Sequence, residues 1–297
     1  MLLWCMVSCA IVARVEQNHE ERFAEATLAP RLYYAPPYNV RYWEGSRGCP
    51  VLLLHGFGGH AIWQWADQVE ALGTDHQLII PDLLWFGGSW AEEPRYGLEH
   101  QAEAMLGLLD HVGAAKVDLV GISYGGFIAF NLALRHPERV RRVVLVDSPG
   151  PVYTREDEAA AMARLGVTRP ADLVVPQHPD GVGRLLELAF ERPPPSPGFV
   201  ERQVFELMYQ DKQAEKIALL DHLAANREEV VTSARPLSQP TLLVWGENDQ
   251  LFPLDVAERL AQWQGARLAI LPETRHAPKL EDPEGFNAEV SAFLRCD

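Results

Sequence analysis

Residues 119 to 126 read Leu-Val-Gly-Ile-Ser-Tyr-Gly-Gly, with a mostly apolar run, Val117 to Val120, in front and a helix-like stretch, Phe127 to Arg135, behind. A strand that turns at once into a helix needs a sharp corner. Glycines without Cβ atoms permit that corner and let neighbouring backbone approach closely. G-x-S-x-G alone is common by chance, but at a strand-to-helix junction Gly121-Ile122-Ser123-Tyr124-Gly125 predicts an elbow with the Ser123 hydroxyl exposed on it. The alternative is an ordinary glycine-rich turn carrying a solvent-facing serine. The rest of the chain decides between the two.

From about Tyr38 onward, strands and helices alternate. Val51-Leu52-Leu53-Leu54, ended by His55-Gly56, has the continuous apolarity of a strand buried on both faces. Further strands are read at 77–81, 117–121, 143–146, 241–245 and 267–271. Helices are read at 98–111, 124–135 and 254–263, with a last one after Pro283, where proline suits the first turn. This pattern predicts an α/β fold, a mostly parallel central sheet flanked by helices. Between Pro151 and about Pro240 no strand is convincing, and three helix-like pieces appear: 156–165, 182–190, and 199–209 running on toward Leu223. The reading is therefore a core of residues 25–150 and 237–297, with a helical lid at 151–236 inserted between two late strands. Residues 1–24 form an N-terminal segment without an assigned role.

A serine hydroxyl needs a base within hydrogen-bond reach, itself held by a carboxylate. In elbow-type enzymes the chain order is serine, acid, histidine. Asp249 follows the strand 241–245 and His276 lies five residues beyond the strand ending at Leu271, so with Ser123 all three fall past carboxyl ends of strands. Open parallel sheets place their sites there. Glu247 and Asp147 are rival acids. His55 sits at a glycine-rich corner, where it is expected to fix the loop rather than act as base. A developing oxyanion needs donors, assigned to the backbone N–H groups of Tyr124 and of Phe57 in His55-Gly56-Phe57-Gly58-Gly59. Trp63, Trp65, Trp85, Trp90 and Phe57 lie near strand ends, and the lid adds Phe190, Phe205, Met208 and Tyr209. Of these, Trp85, Phe190, Phe205 and Met208 are the expected pocket residues. Aromatic walls suit an apolar acyl or aryl group, although the same side chains could simply pack lid onto sheet.

The net charge of −15 disfavours nucleic acid, because nothing offsets phosphate repulsion. Cys5, Cys9, Cys49 and Cys296 show no metal-ligand spacing and lie mostly at the chain ends, so no disulfide framework is expected. As free thiols they favour a reducing, cytoplasmic setting. Leu2 to Ala13 is almost wholly apolar, and Ser8-Cys9-Ala10 could pass for a cleavage site. No Lys or Arg precedes the run, and it is shorter than the ~20 residues of a membrane span. Firm membrane association is not expected, while export or anchoring stays open beside an extra helix. Oligomeric state is not legible.

Together, 55–59, Asp82-Leu83-Leu84-Trp85-Phe86-Gly87-Gly88-Ser89, 121–126, 246–249 and His276 resemble the α/β-hydrolase fold superfamily from about Tyr38 to Leu294. Ala171 to Pro176 and Asp249 to Leu254 resemble its lidded esterase- and lipase-like branch. The resemblance implies Ser123 as nucleophile, Asp249 as acid, His276 as base and an oxyanion hole at Phe57 and Tyr124, with no cofactor and no metal. It implies cleavage of small-molecule carboxylic esters of small to medium apolar substrates through an acyl-enzyme. Serine at the elbow separates the chain from branches that use aspartate there. Hydrolases of carbon–carbon bonds in ring-cleavage diketones come second, because they usually offer a small polar residue at the position of Phe57. A ligand-sensing relative with little turnover is the third reading. Trp85 stands where relatives carry a small residue, and its bulk is expected at the pocket mouth.

Overall fold

The computed structural model describes residues 10–227 and 233–296. Its spine is a nine-stranded sheet, β1 (Ala29–Ala35), β2 (Tyr38–Gly45), β3 (Cys49–Leu54), β4 (His76–Pro81), β5 (Trp90–Ala91), β6 (Val117–Ile122), β7 (Val140–Val146), β8 (Thr241–Gly246) and β9 (Arg267–Leu271). The spatial order is β1-β2-β4-β3-β6-β7-β8-β9, with β5 beside β2. From β4 to β9 along this path every pairing is parallel, whereas β1 and β2 are antiparallel. The parallel strands read as apolar runs because helices cover both faces: Val51 to Leu54 and Val143, Val144 and Val146 are wholly buried.

β3 lies centrally, and the chain leaves it first toward β4 and later returns on its other side as β6. A crevice opens outside the strand ends at such a switch of direction. The loop after β3 and the corner after β6 meet there.

Between β7 and β8 the described residues contain no strand. They form the helices Arg155–Leu165, Ala171–Val174, Gly181–Ala189, Gly198–Met208 and Gln213–Ala225, so the helical insertion stands where expected. The first starts with a capping box, in which the Thr154 hydroxyl accepts from Asp157 N–H and the Asp157 carboxylate accepts from Thr154 N–H. The helix Ala10–Glu25 stands where an extra helix was one of the readings of the apolar N-terminus. Two features went unread. One is the antiparallel pair β1–β2. The other is a disulfide joining Cys49 at the start of β3 to Cys296, with Cα atoms 5.9 Å apart. It corrects the expectation of free thiols at those two positions, and with it that argument for a cytoplasmic setting. Cys5, Cys9 and the Ser8-Cys9 part of the cleavage-site reading lie outside the described residues. No helix among the described residues is long and apolar enough to cross a membrane.

Candidate active site

Ser123 occupies the corner between β6 and the helix Tyr124–Arg135, with φ 52° and ψ −118°. The left-handed φ falls on the serine itself; Gly121 and Gly125 serve by their missing side chains. A Cβ on Gly121 would lie 2.4 Å from Gly125 O, and one on Gly125 would lie 2.3 Å from Leu54 O. The elbow is thus wedged against the end of β3. Non-glycine residues in such backbone states cost about 1–3 kcal/mol and persist only where their surroundings hold them.

His276 and Asp249 reach Ser123 from the ends of β9 and β8. Ser123 Oγ is 3.0 Å from His276 Nε2, and His276 Nδ1 is 2.8 Å from Asp249 Oδ2. The carboxylate fixes Nδ1–H as donor, which leaves Nε2 to accept from the serine hydroxyl. Asp249 Oδ1 accepts from the N–H groups of Leu251 (2.7 Å) and Phe252 (3.1 Å), so one carboxylate oxygen holds the loop and the other the imidazole. The Phe252 ring packs edge-on to His276 at 5.5 Å. A row of this kind can pass a proton from Oγ to Nε2 and stabilise the resulting imidazolium.

Neither rival acid joins the row in that way. Glu247 accepts from Glu273 N–H. Asp147, at the end of β7, is wholly buried, with Oδ1 accepting from Gly246 N–H at 2.9 Å. Burial, reinforced by the negative charge of Asp249, pushes its carboxyl well above the usual range. Asp147 is thus the carboxyl held toward its protonated form.

The loop after β3 runs directly past the serine: a Cβ on Gly56 would lie 3.1 Å from Ser123 Cβ. The Phe57 and Tyr124 rings meet edge-to-face at 5.0 Å, tying this loop to the elbow. His55 is wholly buried. Its Nε2 accepts from Leu83 N–H (3.0 Å), and its Nδ1 donates to Gly56 O (2.7 Å). Burial pushes its pKa down to about 4, so it is a neutral strut for the loop.

Two cavities meet at Ser123. The smaller, about 70 Å³, is lined by Phe57, Tyr124, Phe127, Tyr153, Leu223 and Phe252 among others. Arg227 and Glu158 also line it and form an ion pair with each other. The larger, about 360 Å³, is walled by Trp63, Leu186, Phe190, Val204, Met208 and His276, among others. Phe190 and Met208 thus stand in the pocket, but Trp85 and Phe205 line neither cavity. Trp85 packs on Tyr96, and its indole N–H donates to Arg95 O. Phe205 follows Val204 on a helix whose cavity face is Val200, Val204 and Met208, and one residue turns a side chain about 100° away. Trp65 is wholly buried under the ammonium of buried Lys279, and Trp90 is exposed on the surface. The sequence reading also missed Ile11, Val12 and Val15, which line the larger cavity from the helix Ala10–Glu25. Their spacing along one helical face was the available signal.

The family model for the alpha/beta hydrolase fold matches residues 50–283. A 2-hydroxymuconate semialdehyde hydrolase of Pseudomonas putida is 32% identical over 89% of this chain and 93% of its own length. A pimeloyl-[acyl-carrier protein] methyl ester esterase of Nitrosospira multiformis is 30% identical over 84% of this chain and 96% of its own. Among solved structures, a bacterial membrane phospholipase A is similar in fold, with TM-score 0.78 at 23% identity over 99% of this chain and 96% of that one. The sheet order, the elbow, the matched span and the relatives agree: this chain belongs to the alpha/beta hydrolase fold family, and it is a hydrolase.

Proposed function

We propose that the protein cleaves carboxylic esters of apolar substrates through an acyl-enzyme formed on Ser123. The observation that carries this reading is the row Ser123–His276–Asp249, with contacts of 3.0 and 2.8 Å, opening onto apolar walls. Ser123 Oγ attacks the carbonyl carbon as its proton passes to Nε2. The backbone N–H groups of Phe57 and Tyr124 receive the oxyanion. His276 then gives the proton to the departing alkoxide, which leaves as the alcohol. A water molecule, deprotonated in turn by His276, attacks the acyl carbon and releases the acid, restoring the serine. Asp249 holds the imidazolium throughout and stays charged.

The second reading, carbon–carbon cleavage of ring-cleavage diketones, draws on the 2-hydroxymuconate semialdehyde hydrolase relative. Such diketones carry a carboxylate, and a buried carboxylate needs a cationic partner. Among the described residues no lysine or arginine lines the larger cavity. Arg227, in the smaller, is already paired with Glu158. The walls favour an uncharged ester.

A panel of p-nitrophenyl acetate, butyrate and octanoate beside a 2-hydroxy-6-oxo-dienoate tests the assignment. Ester turnover lost in Ser123→Ala supports it. Turnover of the dienoate alone replaces it with the second reading. Fluorophosphonate labelling at a residue other than Ser123 ends the mechanism.

A further inference from the structure

The helix Ala10–Glu25 precedes the span matched by the family model, 50–283. Its inward face runs Val12, Val15, His19, Phe23, the spacing of one helical stripe. The two halves of that stripe do different things. In the C-terminal half, Phe23 is buried against Trp43 with ring centroids 5.8 Å apart, and Arg22 pairs with Asp67. His19 stands edge-on to Trp63 at 4.9 Å, on the short helix Ala61–Trp65 that follows the oxyanion loop. These contacts seat the helix on the core beside the site. In the N-terminal half, Ile11, Val12 and Val15 line the larger cavity opposite Val182, Leu186 and Val204 of the lid. Val12 is buried, and Val15 is half-buried.

We infer that this helix is a specificity-determining wall of the ester site, and that the substrate carries one long or bulky apolar chain lying against Val12 and Val15. The inference deepens the ester reading and rests on it. Volume supports it: about 360 Å³ is the size of a ligand pocket, and the second cavity at Ser123, about 70 Å³, admits only a small group. Chemistry supports it as well. The polar side chains around the larger cavity are Ser123 and His276 themselves with Gln64, Ser196 and Tyr209, and among the described residues no lysine, arginine, aspartate or glutamate lines it. A chain of methylenes gains by leaving water for such walls. The chain can belong to the acyl or to the alcohol half of the ester, and both put the same chemistry in the chamber.

The test compares kcat/KM for long and short esters in two series, p-nitrophenyl acetate to decanoate for the acyl half and methyl to decyl acetate for the alcohol half. Val15→Trp fills the chamber, and the long-to-short ratio should fall tenfold or more in one series. Whichever series responds tells which half is seated there. Val12→Ala with Val15→Ala should move the optimum to longer chains. Asn18→Trp, on the exposed face of the same helix, should leave the ratio as it was. Circular dichroism melts show which variants are folded. A separate measurement reads the chamber without catalysis: binding of decanol to Ser123→Ala protein, which Val15→Trp should weaken tenfold or more. If wild type turns over no ester yet decanol binding responds, the ester reading fails and the wall stands. If both ratios and decanol binding ignore Val15→Trp in a folded protein, the wall is refuted.

Discussion

Gly125→Ala tests the elbow through one methyl group. The added Cβ would lie 2.3 Å from Leu54 O and 2.6 Å from His55 O, whereas such contacts are not found below 3.0 Å, so the parts must separate by at least 0.7 Å (3.0 minus 2.3). Neither carbonyl is free to retreat. Leu54 is wholly buried at the end of β3 and in register with Gly121, and both ring nitrogens of His55 are engaged. The displacement therefore falls on the elbow, two residues from Ser123. If it is passed on, the 3.0 Å contact between Ser123 Oγ and Nε2 opens to about 3.7 Å, outside hydrogen-bond range. A misplacement of about 1 Å at reacting groups costs about 10²-fold in rate. At 1.36 kcal/mol per factor of ten, that is about 2.7 kcal/mol of lost transition-state stabilisation. The assay is kcat/KM on p-nitrophenyl butyrate together with the rate of fluorophosphonate labelling at Ser123, and both should fall about a hundredfold. Gly198→Ala is the control, because its Cβ would meet nothing within 4 Å, and it should stay within twofold of wild type. A folded Gly125→Ala protein with activity within threefold of wild type would refute the account of how the serine is held.

Asp147, held protonated, should tolerate replacement by its uncharged isostere. Asp147→Asn is expected within a few-fold of wild-type kcat/KM while Asp249→Asn falls on the order of 10³–10⁴-fold, and equal losses would show that charge on Asp147 is used. His55 and His60 are buried, which pushes both pKa values down from 6.5 to about 4. The unfolded chain then binds protons that the native one refuses, so stability is complete above 6.5 and lost as pH falls from about 6.5 toward 4. Urea midpoints across that window should drop, and drop less in His60→Gln; a flat profile contradicts the burial argument. Finally, a non-reduced peptide map should recover the Cys49 and Cys296 peptides as one linked species, and Cys296→Ser should lower stability by about 2–4 kcal/mol. Separate peptides, alkylated at both cysteines, would rule the bond out.

The row at Ser123 was legible because topology, rather than packing, places it. Each member stands just past a strand that the sequence marks as mostly apolar, and parallel strands put their carboxyl ends on one edge. The pocket walls were less legible, since they come from the helices between β7 and β8 and from Ala10–Glu25, where one position of register decides. Val204 faces the cavity, and its neighbour Phe205 does not. Composition also misled at the N-terminus. The apolarity of Leu2 to Ala13 drew attention away from the stripe Val12, Val15, His19, Phe23, which marks a packed helix. Cys49 and Cys296 are 247 residues apart, and nothing local announces that β3 begins beside the last residues of the chain.

The choice between Asp147 and Asp249 shows where such reading stops and geometry takes over. β7 and β8 are adjacent and in register, Val146 beside Val244, so both strands deliver an aspartate to the same corner, and spacing alone cannot rank them. The order of backbone donors does. Gly246 N–H donates to Asp147 Oδ1, while the N–H groups of Leu251 and Phe252 donate to one oxygen of Asp249 and leave the other for Nδ1. With two carboxyls this close, both charging is costly. Asp249 has two N–H donors and an imidazole on its carboxylate, and Asp147 has a single N–H donor and is pushed up by burial, so Asp147 is the one held toward its protonated form. The acid of the row is thus selected by which carboxylate the loops solvate, a property of three turns that meet only after the sheet has formed.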